Sequence, residues 1–416
     1  MIVGVVGLGY VGLPLVVAFA EAGAEVIAVD VDRTKVAAIR RGSSYVEDIA
    51  SERLTAALPH ITATTSYGPL ADAEAILVCV PTPLTRNREP DLTPLRQAAD
   101  QLAKHVRPGQ LIVLESTTYP GTTRDLLVPT LERISGLRVP EQLNVAFSPE
   151  RVDPGRTDYQ LRNTPKVVGG LTARCTERAR ALYALVCDST VEVSTPEAAE
   201  LTKLLENIFR SVNIALVNEL AILAERMGID IWEVLDAAAT KPYGFMPFQP
   251  GPGMGGHCLP VDPFYLTWRA REFHTPTEFI ELAGKINQQM PAYCVERIER
   301  ALNDQAKPLR GSKLAILGVA YKGGVADIRE SPAIRIIEQL TARGAQLAYH
   351  DPFVPELAQL GLASVPLEAA LADADAVVLV TAHPGIDHVA LADRTPLFVD
   401  LRGVTRGASS ANIVRL

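Results

Sequence analysis

The first thirty residues, MIVGVVGLGYVGLPLVVAFAEAGAEVIAVD (1–30), decide the fold of the chain's N-terminal part. Ile2 to Val6 is a short run of β-forming residues, Gly7 to Gly12 a turn, Pro14 to Ala22 a helical run, and Glu25 to Val29 a second strand ending at Asp30. This is a β-α-β unit, the building block of a parallel sheet. The turn reads Gly7-Leu8-Gly9-Tyr10-Val11-Gly12. That is GxGxxG between a strand and a helix, a spacing that turns backbone N–H groups and a helix N-terminus towards a pyrophosphate. Asp30 can accept a hydrogen bond from a ribose 2′-OH and would repel a 2′-phosphate, so NAD is expected rather than NADP. Arg33 is the nearby cation that would favour the opposite choice. Met1 to Ala20 carries no charge, yet it lacks the positive start of a signal peptide, and Gly4, Gly7, Gly9, Gly12 and Pro14 punctuate it. The segment therefore reads as strand, turn and helix rather than as a membrane anchor.

Further strands are expected at Ala75 to Val80, Leu111 to Glu115, Asn144 to Phe147 and Lys166 to Gly169, which extends the unit into a doubly wound α/β domain over residues 1–195. From Pro196 to about Met227 the chain runs without internal Gly or Pro. At 1.5 Å per residue this makes a helix of roughly 45 Å, longer than one small domain needs. Such a helix is expected to join two domains and to spend its surplus apolar surface on a subunit interface. Residues 196–300, with a Gly- and Pro-rich loop from Lys241 to Pro263, form a central helical region.

The third region echoes the first. Ala22-Gly23-Ala24-Glu25 leading to Asp30 resembles Arg343-Gly344-Ala345-Gln346 leading to Asp351, and ADAEAILVCVPTP (71–83) resembles ADADAVVLVTAHP (372–384). Residues 301–416 are therefore expected to form a second Rossmann-like domain. Its first turn, Gly318 to Gly324, keeps glycines, loses the dinucleotide spacing and gains Lys322, which suits a different phosphorylated ligand. The fold class is α/β: two Rossmann-like doubly wound domains joined by a long central helix.

Composition agrees with a folded globule of two or three domains: 416 residues, 48% hydrophobic and 21% charged. A net charge of −8 speaks against nonspecific binding to nucleic acid or to an anionic membrane surface. Five scattered cysteines, without paired metal-ligand spacing or disulfide density, point to a reducing, cytoplasmic compartment and no metal site.

Two patterns carry chemistry. Cys258 lies in Gly251-Pro252-Gly253-Met254-Gly255-Gly256-His257-Cys258-Leu259-Pro260-Val261-Asp262. Glycines at this density allow tight turns around a ligand, so the thiol can serve as a nucleophile, whereas Cys79 in ILVCV reads as a core residue. Lys203 and Asn207 are four apart on the long helix, hence on one face. Spacing alone makes them a solvated surface pair; together they can also stabilise a developing alkoxide.

These residues combine into a pattern that resembles the UDP-glucose/GDP-mannose dehydrogenase family nearly end to end. The matching pieces are GLGYVG, Val80-Pro81-Thr82-Pro83, Ser116 to Gly121, Phe147-Ser148-Pro149-Glu150-Arg151, Lys203 to Asn207, Gly256 to Asp262, and Ala320-Tyr321-Lys322 leading to Asp327-Ile328-Arg329-Glu330-Ser331. The resemblance implies a four-electron oxidation of a sugar C6 hydroxyl to a carboxylate, with two NAD⁺ reduced in succession. Cys258 would hold the intermediate as a thiohemiacetal and then a thioester. Lys203 and Asn207 would stabilise the C6 oxygen, Asp262 with Thr117 would position a water and manage protons, and Glu150 would act as general base. Thr82, Thr117 and Arg329 match cofactor contacts, joined by Gly7, Gly9, Tyr10, Val11, Gly12, Asp30 and Lys35. Lys322 and Arg402 match contacts to the nucleotide sugar, with Glu150, Arg151, Lys203, Asn207 and Gly255 completing that set. Many relatives carry a second Glu four positions after Glu150, where this chain has Pro154; the second acid is left unassigned.

The Glu-Arg-Val-Asp-Pro-Gly and His-Cys-Leu-Pro-Val-Asp segments are most similar to the branch that oxidises UDP-N-acetylhexosamines, UDP-N-acetylglucosamine above all, with UDP-glucose the leading alternative. Two other readings stay open: a two-electron dehydrogenase or epimerase on the same architecture, and a non-catalytic nucleotide-sugar sensor. A homodimer or larger assembly through the central helix is expected.

Overall fold

The computed structural model describes the chain apart from residues 86, 154–157, 257, 258 and 409. It divides into two units: residues 1–206 with 264–276, and residues 207–263 with 277–416. The chain crosses from the first to the second within the long helix, returns near the start of a helix at Asp262–Ala270, and crosses again between Pro276 and Thr277.

In the first unit, β1 (Ile2–Val6), β2 (Glu25–Val29), β3 (Ile61–Thr64), β4 (Ala75–Val78), β5 (Leu111–Leu114), β6 (Asn144–Phe147), β7 (Lys166–Gly170) and β8 (Thr190–Val193) form one sheet. Their order is β3-β2-β1-β4-β5-β6-β7-β8. Neighbours run parallel except β6 and β7, which are antiparallel. The expected strands are present, and β4, β5 and β6 are buried along their whole length. Strands covered by helices on both faces are continuous apolar runs, which is why sequence exposes them. β3 and β8 are the two not anticipated. Each pairs on one side only and is half-exposed, so neither ITAT nor TVEV needs an unbroken apolar run.

The turn after β1 depends on its glycines. Gly7 has φ of +91°, where a side chain is strained. A Cβ on Gly7 would lie 2.6 Å from the Cys79 carbonyl oxygen, and one on Gly12 would overlap the Gly7 carbonyl oxygen. The helix Gly12–Glu21 can therefore start directly against the end of β1.

In the second unit, β9 (Lys313–Leu317), β10 (Gln346–His350), β13 (Ala376–Leu379), β14 (Phe398–Asp400) and β15 (Ile413–Arg415) make an all-parallel sheet in the order β10-β9-β13-β14-β15. A two-residue ribbon, β11 (Glu356–Leu357) with β12 (Leu362–Ala363), lies after β10. The sequence echo is realised in space: β9 sits between β10 and β13 as β1 sits between β2 and β4. Gly318 (φ +75°) donates its N–H to the His350 carbonyl at 2.9 Å, as Gly7 does to Val29 at 2.8 Å. The core of this unit joins the sheet to a helix at Glu278–Asp304 and to Trp232, whose indole N–H donates to the Leu416 carbonyl at 3.0 Å.

The long helix spans Pro196–Met227, as expected. Leu216, Leu220, Leu223 and Met227 are exposed along it. Their spacing of four, three and four places them in one apolar stripe. Among the described residues this helix alone is long and apolar enough to cross a membrane, and 39% of its apolar window is buried within the protein. The four described cysteines, Cys79, Cys175, Cys187 and Cys294, are free and buried.

Glu200, on the long helix, has no exposed surface. Its carboxylate accepts from the N–H groups of Gly121 (2.6 Å) and Thr123 (2.9 Å) and from the Thr123 hydroxyl (2.7 Å). Burial nonetheless outweighs these donors and pushes its pKa up to about 7. The folded state thus keeps this proton through the range from 4.5 to about 7 where the unfolded state releases it, and the group's contribution to stability falls as pH rises through that window. Glu200→Gln removes this dependence. The stability difference between parent and variant should shift against the parent by on the order of 3 kcal/mol between pH 4.5 and 7.5, read by denaturant unfolding; a constant difference would contradict the assignment. Gly12→Ala should weaken NADH binding by about tenfold or more in a fluorescence titration, and unchanged affinity would show that the turn accommodates a methyl group.

Candidate active site

The ends of β1 and β2 meet at one carboxylate. Asp30 Oδ2 accepts the Leu8 N–H at 2.8 Å and the Lys35 ammonium at 3.2 Å, and Oδ1 accepts the Asp32 N–H at 2.9 Å. The Tyr45 hydroxyl donates to the Leu8 carbonyl at 2.6 Å, closing the turn from the other side. A Cβ on Gly9 would have no neighbour within 4 Å. That position lies over open space where a phosphate can approach the backbone, while Gly7 and Gly12 admit no side chain at all. Tyr10 is exposed and Val11 half-buried at the same turn. This cradle, with a single acidic group at the end of β2, fits the adenosine and pyrophosphate of NAD.

The loops after β4 and β5 are bound together beside it. The Thr82 hydroxyl donates to the Thr117 carbonyl at 2.7 Å, and the Ser116 hydroxyl to the Val80 carbonyl at 2.7 Å. The Tyr265 hydroxyl donates to the Thr82 carbonyl. Tyr265 belongs to the 262–270 helix, which also rests on this unit through Trp268 against Tyr119, ring centroids 4.9 Å apart, and through Arg269 with Asp125 at 2.8 Å.

Glu150 follows β6 and is held by three donors. Oε1 accepts the N–H groups of Arg151 (2.8 Å) and Val152 (2.7 Å), and Oε2 faces the Lys166 ammonium at 3.3 Å. Burial opposes ionisation, but Lys166, the Val152 N–H, Lys203 and the Arg151 N–H outweigh it and hold the carboxyl below its ordinary range. The Arg151 guanidinium binds the Pro165 carbonyl (2.6 Å) and Glu206 (2.7 Å).

In the second unit the Gly-rich loop is fixed from several sides. Asn218 accepts the Gly251 N–H at 2.9 Å and donates to Asn287 at 2.9 Å; Asn287 in turn donates to the Ser211 carbonyl at 3.0 Å. The Gly256 N–H donates to the Arg329 carbonyl at 2.9 Å. A Cβ on Gly255 would lie 2.6 Å from Tyr321 Cβ, and one on Gly256 3.0 Å from the same ring, so only glycines let the loop lie on Tyr321. Lys322, half-buried, is the next residue. Arg402 Nε donates to the Val380 carbonyl at 2.7 Å, and a Cβ on Gly251 would lie 3.1 Å from its guanidinium. The Arg329 side chain grips Asp327 with two hydrogen bonds of 2.9 and 2.7 Å. His257, Cys258 and Pro154 lie outside the described residues.

Lys203 and Asn207 are not the solvated pair that spacing alone suggests: they are 9% and 5% exposed. Asn207 donates from Nδ2 to Asp262 Oδ2 at 2.5 Å, and Asp262 is itself 3% exposed. A buried amide and carboxylate are costly unless they serve a ligand or one another. Cys79 is a core thiol, as read from its strand, and burial raises its pKa well above the ordinary value.

The sequence reading overlooked several polar residues. Lys166 opens β7 and Glu115 ends LIVLE; they pair at 2.7 Å with 2% and 0% of their side chains exposed. The signal was a charge at the mouth of a fully apolar strand. Asn218 and Asn287 stand at core positions of helices, where amides are rare.

Comparison with known proteins agrees with this geometry. Models of the UDP-glucose/GDP-mannose dehydrogenase family match along the chain: the NAD binding domain over residues 1–187, the central domain over 197–289 and the UDP binding domain over 315–407. A UDP-N-acetyl-D-glucosamine 6-dehydrogenase of Pseudomonas aeruginosa is 36% identical over 92% of this chain and 90% of its own length. An NDP-N-acetyl-D-galactosaminuronic acid dehydrogenase of Ralstonia nicotianae is 35% identical with the same coverage. The solved structure of a UDP-D-ManNAc dehydrogenase from Pyrococcus horikoshii superposes with a TM-score of 0.91 at 32% identity, covering 100% of this chain and 99% of that one. With its glycine cradle for NAD, its UDP-binding region and matches along nearly its whole length, this chain belongs to the UDP-glucose/GDP-mannose dehydrogenase family and is an NAD-dependent nucleotide-sugar dehydrogenase.

Proposed function

We propose that the protein oxidises the C6 hydroxyl of UDP-N-acetylglucosamine to a carboxylate in two steps, through a covalent intermediate on Cys258. The burial of Lys203 and of the Asn207–Asp262 pair, four residues beyond Cys258, carries this reading. Desolvated donors are worth most where an alkoxide develops. Residues 1–195 form the NAD-binding domain, 196–300 the helical and catalytic-loop region and 301–416 the UDP-sugar domain. Gly7, Gly9, Tyr10, Val11, Gly12, Asp30, Lys35, Thr82, Thr117 and Arg329 hold the cofactor. Lys322 and Arg402 supply positive charge for the diphosphate, and Gly255, seated on Tyr321, offers its backbone to the sugar.

Bound NAD⁺ supplies the hydride acceptor for each oxidation. Lys203 and Asn207 stabilise the oxygen on C6 as the alcohol passes its proton to a water held by Asp262 and Thr117 and, with loss of hydride, becomes an aldehyde. The Cys258 thiolate adds to the aldehyde carbon, giving a thiohemiacetal whose oxidation leaves a thioester. Glu150 takes a proton from water as the water attacks the thioester carbon, and the thiolate leaves with the C–S electron pair. Asp262 and Thr117 position that water, and Arg151 sets the backbone that holds Glu150.

UDP-glucose is the competing substrate. An acetamido group and a hydroxyl at C2 differ by contacts worth a few kcal/mol at most. A panel of UDP- and GDP-sugars assayed for NADH release should give the highest kcat/KM with UDP-N-acetylglucosamine and two NADH per acid formed. One NADH per sugar would indicate a simple alcohol dehydrogenase, and none an epimerase or a sensor. Cys258→Ala should lose acid formation while retaining UDP-sugar binding; undiminished acid would overturn the covalent step.

The exposed stripe of Leu216, Leu220, Leu223 and Met227 supports a homodimer through the long helix. Analytical ultracentrifugation without detergent should give a dimer or a larger assembly. Leu216→Asp with Leu220→Lys should dissociate it, and a monomeric parent protein would refute the assignment.

A further inference from the structure

Behind Glu150 lies a buried charge cluster for which neither binding nor the reaction as written has a use. The Lys166 ammonium sits between two carboxylates, 2.7 Å from Glu115 Oε2 and 3.3 Å from Glu150 Oε2. Glu115 Oε1 accepts the hydroxyl of Tyr183, which has no exposed surface, and the ammonium lies 5.2 Å from the centre of that ring. The side chains of Lys166 and Glu115 are sealed from solvent, whereas 16% of Glu150 is exposed. The row therefore begins in the core at Tyr183 and ends at the one carboxylate that reaches the surface of its unit.

Burying an ion pair yields little net stability compared with packing apolar side chains. A well-packed core has no need of a lysine and two acids here. The arrangement makes sense as a device acting on its outermost member. Backbone N–H groups clamp Glu150 Oε1, leaving Oε2 as the oxygen that can take a proton, and Lys166 is the cation that fixes it. The other charged or titratable groups around Glu150 are Glu115 at the end of β5, Cys79 after β4, Cys187 before β8, Lys203 on the long helix and the Arg151–Glu206 pair. Of these Lys203 is the other cation acting on Glu150, and among the described residues it makes no hydrogen bond or ion pair to Glu150.

We infer that Lys166, anchored from behind by Glu115 and Tyr183, is a positioning residue that keeps the Glu150 carboxylate ionised and aligned for attack of water on the acyl-enzyme, and thereby sets the acid limb of turnover. The inference rests on the reading of Glu150 as general base. A carboxylate that must accept a proton works only when ionised. Removing the cation raises the pH at which it ionises, so activity is lost first on the acid side.

The test uses the full-length enzyme. Lys166→Met should move the acid limb of the kcat profile upward by about one pH unit or more, with the KM for UDP-sugar changed less than about threefold. Acyl-enzyme on Cys258 should accumulate in acid-quenched samples examined by mass spectrometry. Lys166→Arg, which keeps the charge, should retain the parental limb. Because a lone buried Glu115 could unfold the single variant, the double variant Glu115→Gln, Lys166→Met removes both members of the pair and should show the same shift in a folded protein. A folded double variant with the parental acid limb and no accumulated acyl-enzyme would overturn the inference. Glu150→Gln separates the two readings. If it traps acyl-enzyme while the Lys166 variants do not, only the role of Lys166 falls; if it leaves turnover and acyl-enzyme unchanged, the general base falls and this inference with it.

Discussion

A carboxylate at the end of a parallel strand, accepting the backbone N–H groups of the neighbouring glycine turn, is the constraint on which both halves of this protein rest. In the first unit Asp30 binds the Leu8 N–H; in the second Asp351 binds those of Val319 (2.7 Å) and Ala320 (3.0 Å). Each bond fixes the turn at the C-terminal edge of its sheet, where open α/β sheets bind their ligands. The following glycine-dependent contacts, Gly7 against Cys79 and Gly318 against Thr381, lock each turn to the sheet neighbour on its other side, β4 and β13 respectively.

The two copies then diverge in what remains for a ligand. Asp351 also accepts from His383 at 2.9 Å and from the N–H groups of Phe353 and Val354 at 2.9 and 3.1 Å. Burial works against its charge, but His383 and the backbone donors hold it below the ordinary carboxylate range. Its lone pairs are spent on the fold. Asp30 carries two backbone donors and the half-exposed Lys35, which leaves it the capacity to receive a ribose hydroxyl. One architecture thus yields a turn whose carboxylate keeps spare acceptor capacity and a turn whose carboxylate, at the same position, is fully engaged by the protein itself.

Polar burial follows a similar logic elsewhere. Glu200 ties the Gly121–Thr123 turn to the long helix, and the Asn218–Asn287 pair ties the Gly-rich loop to two helices. Each places a hydrogen-bonding side chain in an apolar interior to hold a loop that has no secondary structure of its own. A buried polar group left unpaired costs more than the bond contributes when made. Each loop consequently has one favourable arrangement within its own unit.

How much of this was legible beforehand depended on the range of the interaction. The strands β1, β2 and β6 and the long helix follow from local pattern, because a fully covered strand is continuously apolar and a helix without Gly or Pro has no reason to stop. GLGYVG with Asp30, and the duplication at Asp351, are likewise local: the turn conformation demands glycine residue by residue. The edge strands β3 and β8 were illegible because one-sided burial leaves only a weak pattern. Lys203 and Asn207 appeared in the sequence as a helical pair of ambiguous environment; that both are buried, and that Asn207 meets Asp262 from 55 residues further on, is a property of the folded chain. The row Tyr183–Glu115–Lys166–Glu150 joins residues up to 68 positions apart and has no spacing rule at all. Sequence alone therefore determined the elements, the duplication and the cofactor turn. The tertiary structure decided which charges lose their water and face one another, since desolvation is a property of the whole packed interior and not of any segment within it.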